Sequence, residues 1–141
     1  MEPVLVLNGP NLGRLGSREP EIYGGTTYDQ LVTQLDAQAA LLGIAIEVRQ
    51  SDSETDLVHW IHEAIDTRRP VILNPAAFTH TSIALRDAIL GVHIPFIEVH
   101  LSNVMAREKE RHTSLLAQHC LGTISGFGFD SYVLAVEQLT R

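Results

Sequence analysis

The chain has 141 residues, 45% hydrophobic and 19% charged, which is typical of a soluble globular protein and long enough for one domain with one core. No apolar run approaches the roughly 18 residues that cross a bilayer, so a membrane-spanning protein is excluded. The formal charge of -7 and the pI of about 5.4, with arginines scattered along the chain, argue against nucleic acid and anionic membranes as partners.

The first predicted strand, 4–8, contains the apolar run from Val4 to Leu7. The opening MEPVLVLNGP has neither a basic start nor a small-residue cleavage site, so we expect no secretory signal and a cytoplasmic location. From Leu7 to Tyr28 the sequence LNGPNLGRLGSREPEIYGGTTY is polar and interrupted by glycine and proline. Loops of this length usually carry function.

Strands and helices alternate along the whole chain. The predicted strands are 4–8, 44–49, 71–74, 95–100 and 121–126, and the predicted helices are about 27–42, 55–67, 81–90 and 129–140. A capping box at Thr27 and Gln30 starts the first helix, and Gly43 ends it. This alternation predicts an α/β fold with a three-layer, doubly wound sheet of five parallel strands, flavodoxin-like, in a single domain over 1–141.

Polar residues gather where the predicted strands end. Asn8 and Asn11 follow the first strand, and 50–54, 74–80 and 98–103 follow or end the next three. In a doubly wound sheet, ligands bind beyond the carboxyl ends of the strands. The sequence therefore predicts a binding site at this edge.

In the fourth strand, a period of two places Glu98, His100 and Ser102 on one face. A carboxylate beside an imidazole fixes its tautomer and stabilises its protonated form, as a general acid requires. The alternative is an edge strand with a polar solvent face.

Tyr23 lies among glycines in the first loop, and Arg18 precedes it. Phenol titrates near pH 10 and becomes a useful base at neutral pH only when a cation such as guanidinium favours phenolate. The alternative is a tyrosine that anchors the loop through its ring.

Other candidate residues follow the third and fourth strands. Asn74 suits a substrate hydroxyl or carboxylate, and His80 suits a diol, with a turn and simple packing as their alternatives. Thr81 or Ser82 is predicted to cap the next helix. Arg107 and Arg111, four residues apart, would share a face of a helix and reach a ligand or only solvent.

Metal and covalent chemistry have little support. The five remaining histidines form no ligand cluster and are interpreted as structural or surface residues: His59, His62, His93, His112 and His119. Cys120 is the single cysteine, so we expect no intrachain disulfide and a small buried side chain. Lys109 lies in a charged run, so Schiff-base chemistry is not expected.

The opening loop strongly resembles the N-terminal signature of type II 3-dehydroquinate dehydratases. Further blocks resemble the same family in order, over positions 4 to about 111: 50–54, Asn74-Pro75, 80–82, 84–87 and 98–103. Several ordered blocks at family-like spacing are more specific than one motif.

The resemblance implies anti elimination of water from 3-dehydroquinate, a small-molecule substrate, through an enolate to 3-dehydroshikimate, with no cofactor and no metal. Tyr23, activated by Arg18, would take the proton beside the ketone. Asn11 would hold a water at the enolate oxygen, and His100, oriented by Glu98, would protonate the leaving hydroxyl.

The resemblance also implies residues that bind the substrate and an assembly. Asn74, Ser102 and the amides of Leu101 and Ser102 would hold the carboxylate and the leaving hydroxyl. Other residues would complete the site, and these are His80, Arg111, the loop arginine Arg107, and Asp87 reaching a neighbouring subunit. The family forms homododecamers, tetramers of trimers.

Three positions depart from the family pattern. Ala76-Ala77 stands where at least one glycine is usual, so a Cβ there would crowd a backbone that needs positive φ or approaches the ligand. Thr113-Ser114-Leu115 replaces His-Ser-Tyr, with Glu110 at a common aromatic position, which puts local packing and subunit contacts in doubt. Leu101 replaces isoleucine conservatively.

Two rival functions stay open. A flavin- or nucleotide-binding module suits the fold, but neither GxGxxG nor GxxxxGK[ST] is present. A noncatalytic scaffold, with the polar strand ends forming an interface, predicts that Tyr23 and His100 can be replaced without biochemical consequence.

Overall fold

Five parallel strands form one sheet in the order β2-β1-β3-β4-β5. The computed structural model describes residues 2–17, 19–23 and 25–141, and at Tyr23 only the backbone. The strands are β1 Val4–Asn8, β2 Ile46–Gln50, β3 Val71–Asn74, β4 Phe96–His100 and β5 Gly122–Ser125. The helices are α1 Pro20–Tyr23, α2 Tyr28–Leu41, α3 Glu54–Thr67, α4 Ile83–Ile89 and α5 Asp130–Gln138. This strand order is that of flavodoxin-like folds, so the predicted fold class is confirmed.

The core lies in two layers, one on each face of the sheet. Val4 and Val6 pack with apolar residues of α2 and α5, whereas Leu5 and Leu7 pack with those of α3 and α4. Successive side chains of a strand point to opposite faces, so β1 supplies both layers. Every residue of β3, which matches the predicted strand 71–74, is buried as well.

Local signals at the helix ends are also confirmed. The Thr27 hydroxyl accepts from the Gln30 amide, and the Gln30 side chain accepts from the Thr27 amide, which completes the capping box. Gly43 follows α2 with a φ of 75°. Of the two candidate caps for α4, Ser82 accepts the Leu85 amide at 3.0 Å.

The structure differs from the predicted elements mainly in short turns. The sequence does not predict α1 or the five 3₁₀ turns of the described residues, because three to five residues are too few for a periodic pattern. The turns are Leu12–Arg14, Ala76–His80, Val104–Ala106, Lys109–Arg111 and Ala117–His119. Most follow the carboxyl ends of strands, where the polar residues gather. No described helix combines the length and the apolar run that a membrane crossing requires.

Candidate active site

A cleft opens beyond the carboxyl ends of β1, β3 and β4, as the sequence predicts. Its empty space, counted together with the solvent at its open mouth, is about 650 Å³. The predicted site residues that line it are Asn11, Asn74, His80, His100, Leu101, Ser102, Arg107 and Arg111. The fold therefore gathers side chains from four separate stretches of sequence.

The side chains of His100 and Glu98 form a hydrogen bond at the buried end of β4. The Nε2 atom of His100 lies 2.9 Å from Oε2 of Glu98, and the two residues are 7% and 3% exposed. A carboxylate oxygen accepts, so Nε2 donates and Nδ1 is left for another partner. β4 lies between β3 and β5, so the alternative of a solvent-facing edge strand is wrong.

The second oxygen of Glu98 is held by Ser114, whose role the sequence did not reveal. The Ser114 hydroxyl donates to Oε1 of Glu98 at 2.7 Å. Cys120 lies close by, and its burial, with a smaller effect of the Glu98 charge, raises the pKa of its thiol to about 12. The carboxylate thus receives one hydrogen bond on each oxygen.

Asn11 sits in a strained backbone conformation that two downstream residues support. Its φ of 71° is left-handed, a region that asparagine tolerates better than most residues. The backbone amide of Asn11 donates to Asp52 Oδ1 at 2.9 Å, and Gln50 Nε2 donates to the same oxygen at 3.0 Å. The hydrogen bond from the Asn11 amide is the main cause that lowers the pKa of Asp52. The sequence indicated 50–54 as polar but assigned these residues no role.

Asn74 is oriented from below by a buried tyrosine. Its Nδ2 donates to the Tyr132 hydroxyl at 2.8 Å, and its Oδ1 accepts the Ala76 amide at 3.1 Å. The Tyr132 hydroxyl in turn donates to Oδ1 of Asn8 at 2.6 Å. Tyr132 is fully buried, and this burial raises its pKa. Asn74 thus keeps one amide hydrogen for a partner in the cleft.

Ala76 confirms the concern raised by the missing glycine. Its φ is 53°, in the left-handed region where a Cβ is unfavourable. It lies on the wall of the cleft beside Ala77, whose φ is not positive. The departure from glycine therefore places backbone strain next to the site.

The segment after Arg111, Thr113-Ser114-Leu115, is packed against the cleft. The Thr113 carbonyl accepts from Nδ1 of His80 at 2.8 Å, so Nδ1 carries a hydrogen. The Leu115 amide donates to the Thr79 carbonyl at 2.9 Å. Local packing of this departed segment is thus well defined within the chain.

Arg107 and Arg111 reach the cleft, but the helix on which their spacing would align them is absent. Arg107 follows the 3₁₀ turn Val104–Ala106, and Arg111 ends the separate turn Lys109–Arg111. Arg107 Nη1 donates to the Ser102 hydroxyl at 3.3 Å. Arg111 Nε donates to Glu108 at 2.5 Å, which is the main cause that lowers the pKa of that carboxyl. Two guanidinium groups on one wall favour an anionic ligand.

The other predicted site residues either lie away from the cleft lining or fall outside the described residues. Asp87 lies on α4, its side chain 60% exposed and paired with Arg86 at 3.4 Å. Arg18 lies outside the described residues, and so does the side chain of Tyr23. Within 2–17, 19–23 and 25–141, no three His, Cys, Asp or Glu side chains cluster as a metal site would require.

Together these contacts describe a cleft that can bind an anion and move a proton. A buried imidazole–carboxylate pair suits general acid catalysis, and the arginines and the Asn74 amide suit a carboxylate and hydroxyls. Asp52, Ser114 and Tyr132 make contacts that position site residues, although none of the three belongs to a recognisable catalytic motif.

Comparison with known proteins agrees with this geometry. The sequence model of the family "Dehydroquinase class II" matches residues 2–140. A 3-dehydroquinate dehydratase of Mycobacteroides abscessus is 55% identical over 133 residues, 94% of this chain and 92% of the relative. The protein of that name from Mycobacterium tuberculosis H37Ra is 55% identical over 138 residues, 98% of this chain and 94% of its own. The crystal structure of type II dehydroquinase from Propionibacterium acnes has a TM-score of 0.96 and 51% identity, covering 99% of this chain and 97% of that one. The chain therefore belongs to the class II dehydroquinase family.

Proposed function

We propose that this protein catalyses the dehydration of 3-dehydroquinate to 3-dehydroshikimate, the step that this family performs in the shikimate pathway. Its relatives across nearly the whole chain carry the name of that enzyme. The single observation that carries the proposal is the bonded pair of His100 and Glu98 at the floor of a cleft that two arginines line.

The proposed elimination needs an acid at the leaving hydroxyl, and we assign that role to His100. Glu98 accepts from Nε2 of the imidazole at 2.9 Å and stabilises its protonated form. Both groups are buried, where a nearby opposite charge acts more strongly than in water. A proton can then pass from Nδ1 to the departing oxygen.

The base that takes the proton beside the ketone is proposed to be Tyr23, with Arg18 favouring its phenolate. Support comes from the sequence, in which both residues lie in the loop that resembles the family signature. A guanidinium stays protonated at neutral pH and so offers a permanent positive charge to a phenolate. Removal of this proton gives the enolate.

Asn11 is proposed to hold a water that stabilises the developing enolate oxygen. Its position on the cleft wall favours this role, as does the bond from its backbone amide to Asp52, which anchors the backbone that carries the side chain. A hydrogen-bond donor that is already oriented stabilises the developing charge without the cost of reorganisation.

The substrate carboxylate and hydroxyls are proposed to meet the polar side chains of the cleft. Asn74 and Ser102, with the amides of Leu101 and Ser102, suit the carboxylate and the leaving hydroxyl, because they offer several donors. His80 and Arg111 are proposed to bind the remaining hydroxyls, and Arg107 adds positive charge beside Ser102. The elimination moves protons and breaks a C–O bond without net oxidation, so we expect no redox cofactor. That no metal takes part is an expectation from the family resemblance alone.

We further propose that the chain acts as one catalytic domain over 1–141 in the cytoplasm and assembles as a homododecamer of four trimers. Asp87 supports assembly, because its exposed carboxylate lies outside the cleft of its own subunit and would be available to a neighbour. Native mass spectrometry would give the mass of the assembly, and a monomer at working concentration would contradict it.

The decisive experiment mixes purified protein with 3-dehydroquinate and follows the ultraviolet absorbance of the conjugated product. We expect absorbance to rise in proportion to enzyme concentration and to continue after treatment with a chelator. A yellow protein or a retained nucleotide without turnover would instead favour the flavin or nucleotide module. Turnover that stops when borohydride is added with substrate would favour an imine at Lys109.

A further inference from the structure

We propose that Ser114 is a positioning residue of the acid pair, which fixes the orientation of Glu98 and thereby the hydrogen on His100 Nε2. The inference rests on the proposed function and deepens it. It assigns a role to Ser114, the one residue of Thr113-Ser114-Leu115 that the family pattern His-Ser-Tyr shares. Ser114 does not line the cleft, so it would act only through Glu98.

The first step concerns the hydrogen bonds that Ser114 can make. A serine hydroxyl has one hydrogen to donate and two lone pairs that accept. The amides of Leu116 and Ala117 donate to the Ser114 oxygen at 3.1 Å and 3.0 Å. Both acceptor positions are therefore filled, and the single hydrogen is directed to Glu98 Oε1 at 2.7 Å.

The second step follows from the direction of that bond. Because Ser114 can only donate here, Oε1 of Glu98 can only accept and carries no proton. The other oxygen, Oε2, faces His100 Nε2 at 2.9 Å. Any proton shared by the acid pair therefore lies between Oε2 and Nε2, and Nδ1 is the atom that exchanges a proton with the cleft.

The third step concerns orientation. Glu98 is 3% exposed, so water does not compete for its oxygens, and a lost partner would not be readily replaced. Hydrogen bonds on both oxygens fix the plane of the carboxylate. Without Ser114 the carboxylate could rotate about its terminal bond, and the imidazole would lose its fixed partner.

The neighbouring Thr113 distinguishes this role from simple packing. Its carbonyl holds His80 at 2.8 Å, so a general collapse of the segment would disturb substrate binding. Loss of the Ser114 hydroxyl alone would disturb proton transfer. The two effects fall on different kinetic constants, KM and kcat.

The test compares Ser114→Ala with the wild-type enzyme on 3-dehydroquinate. We expect kcat to fall about tenfold, as for loss of a hydrogen bond to a charged group, while KM changes less than about twofold. Ser114→Thr keeps the hydroxyl and should recover most of the lost kcat. Ser53→Ala is the matched control, because Ser53 accepts a backbone amide at the start of α3 without touching the acid pair. It should leave kcat unchanged.

A double-mutant cycle shows whether Ser114 acts through Glu98. In a Glu98→Gln background, adding Ser114→Ala should cost much less in kcat than it does in the wild type. An equal cost in both backgrounds, a normal kcat in Ser114→Ala, or a loss confined to KM would overturn the inference. Wild-type turnover is measured first, so these results contradict only the role of Ser114. A wild-type protein without turnover would contradict the proposed function and this inference with it.

Discussion

The hydroxyl of Tyr132 donates to Oδ1 of Asn8 across 124 positions of sequence, at 2.6 Å and in full burial. The same hydroxyl accepts from Asn74, so one oxygen joins the last helix to the ends of β1 and β3. This network lies directly beneath the cleft and determines how the Asn74 amide faces it.

The Tyr132→Phe variant should therefore weaken both stability and substrate binding. It removes the hydrogen-bond partner of Asn8 Oδ1 and of one Asn74 hydrogen. We expect this loss to lower the free energy of unfolding by about 1–3 kcal/mol. Urea unfolding would measure the loss, and KM should rise more than kcat falls. Tyr28→Phe removes a hydroxyl that reaches the same Asn8 from α2, but Tyr28 is only half-buried, so this comparison variant should cost less. Equal stability of Tyr132→Phe and wild type would contradict the role of the network.

Tyr23→Phe and His100→Ala should each lower kcat by at least about two orders of magnitude, within the range of general acid and base catalysis. Steady-state assays on 3-dehydroquinate measure the loss, and circular dichroism checks that both variants stay folded. Near-normal rates in both would support the noncatalytic scaffold. A deficit in only one would dismiss the assigned role of the other residue.

The contact between Asp52 and Asn11 should depend on pH. The pKa of Asp52 is lowered from its ordinary value of 3.8, because the carboxylate accepts the Asn11 amide. For a lowered pKa, the stabilisation is fully present above the ordinary value and is lost as pH falls through the lowered one. The amide resonance of Asn11 should thus move in an NMR titration below about pH 3.8. In Asp52→Asn this movement should disappear, and its persistence would assign the change to another group.

Ala76→Gly should relieve strain at the cleft wall. A left-handed residue with a Cβ costs about 1–2 kcal/mol, part of which returns as extra freedom of glycine in the unfolded chain. We expect the unfolding free energy to rise by up to about 1 kcal/mol. Ala77→Gly is the matched control and should lower stability, since Ala77 has no positive φ. The opposite order of the two variants in urea unfolding would contradict the strain.

Cys120 should be inert in the folded protein. Its pKa of about 12 leaves almost no thiolate at pH 8, and thiolate is the reactive form. Mass spectrometry after iodoacetamide should find no adduct in native protein and one adduct in denatured protein. Rapid labelling of the native form would show that the thiol is ionised or that this region opens.

Much of this fold could be predicted because its signals are local. Apolar runs such as 71–74 indicate buried strands, and the capping box at Thr27 indicates a helix start. The pairing of Glu98 with His100 is local as well, because residues two positions apart in a strand point to the same face of the sheet. That β4 lies inside the sheet is known only from the strand order of the structure.

The supporting contacts could not be predicted, because they depend on distances between remote segments. Ser114 was noted only inside a departing segment, although it lies against Glu98. Nothing local indicated that Tyr132 would reach Asn8. The prediction that Arg107 and Arg111 share a helix face was wrong, because residues 104–111 fold as two short turns. Both arginines nevertheless line the cleft.

The short stretch Thr113-Ser114 holds His80 through a carbonyl and Glu98 through a hydroxyl. This stretch therefore sets the distance between His80, which is proposed to bind the substrate, and the pair of Glu98 and His100, which is proposed to release water. A shift of these two residues would change substrate binding through His80 and proton transfer through Glu98 at the same time. Affinity and turnover are therefore coupled through two adjacent residues.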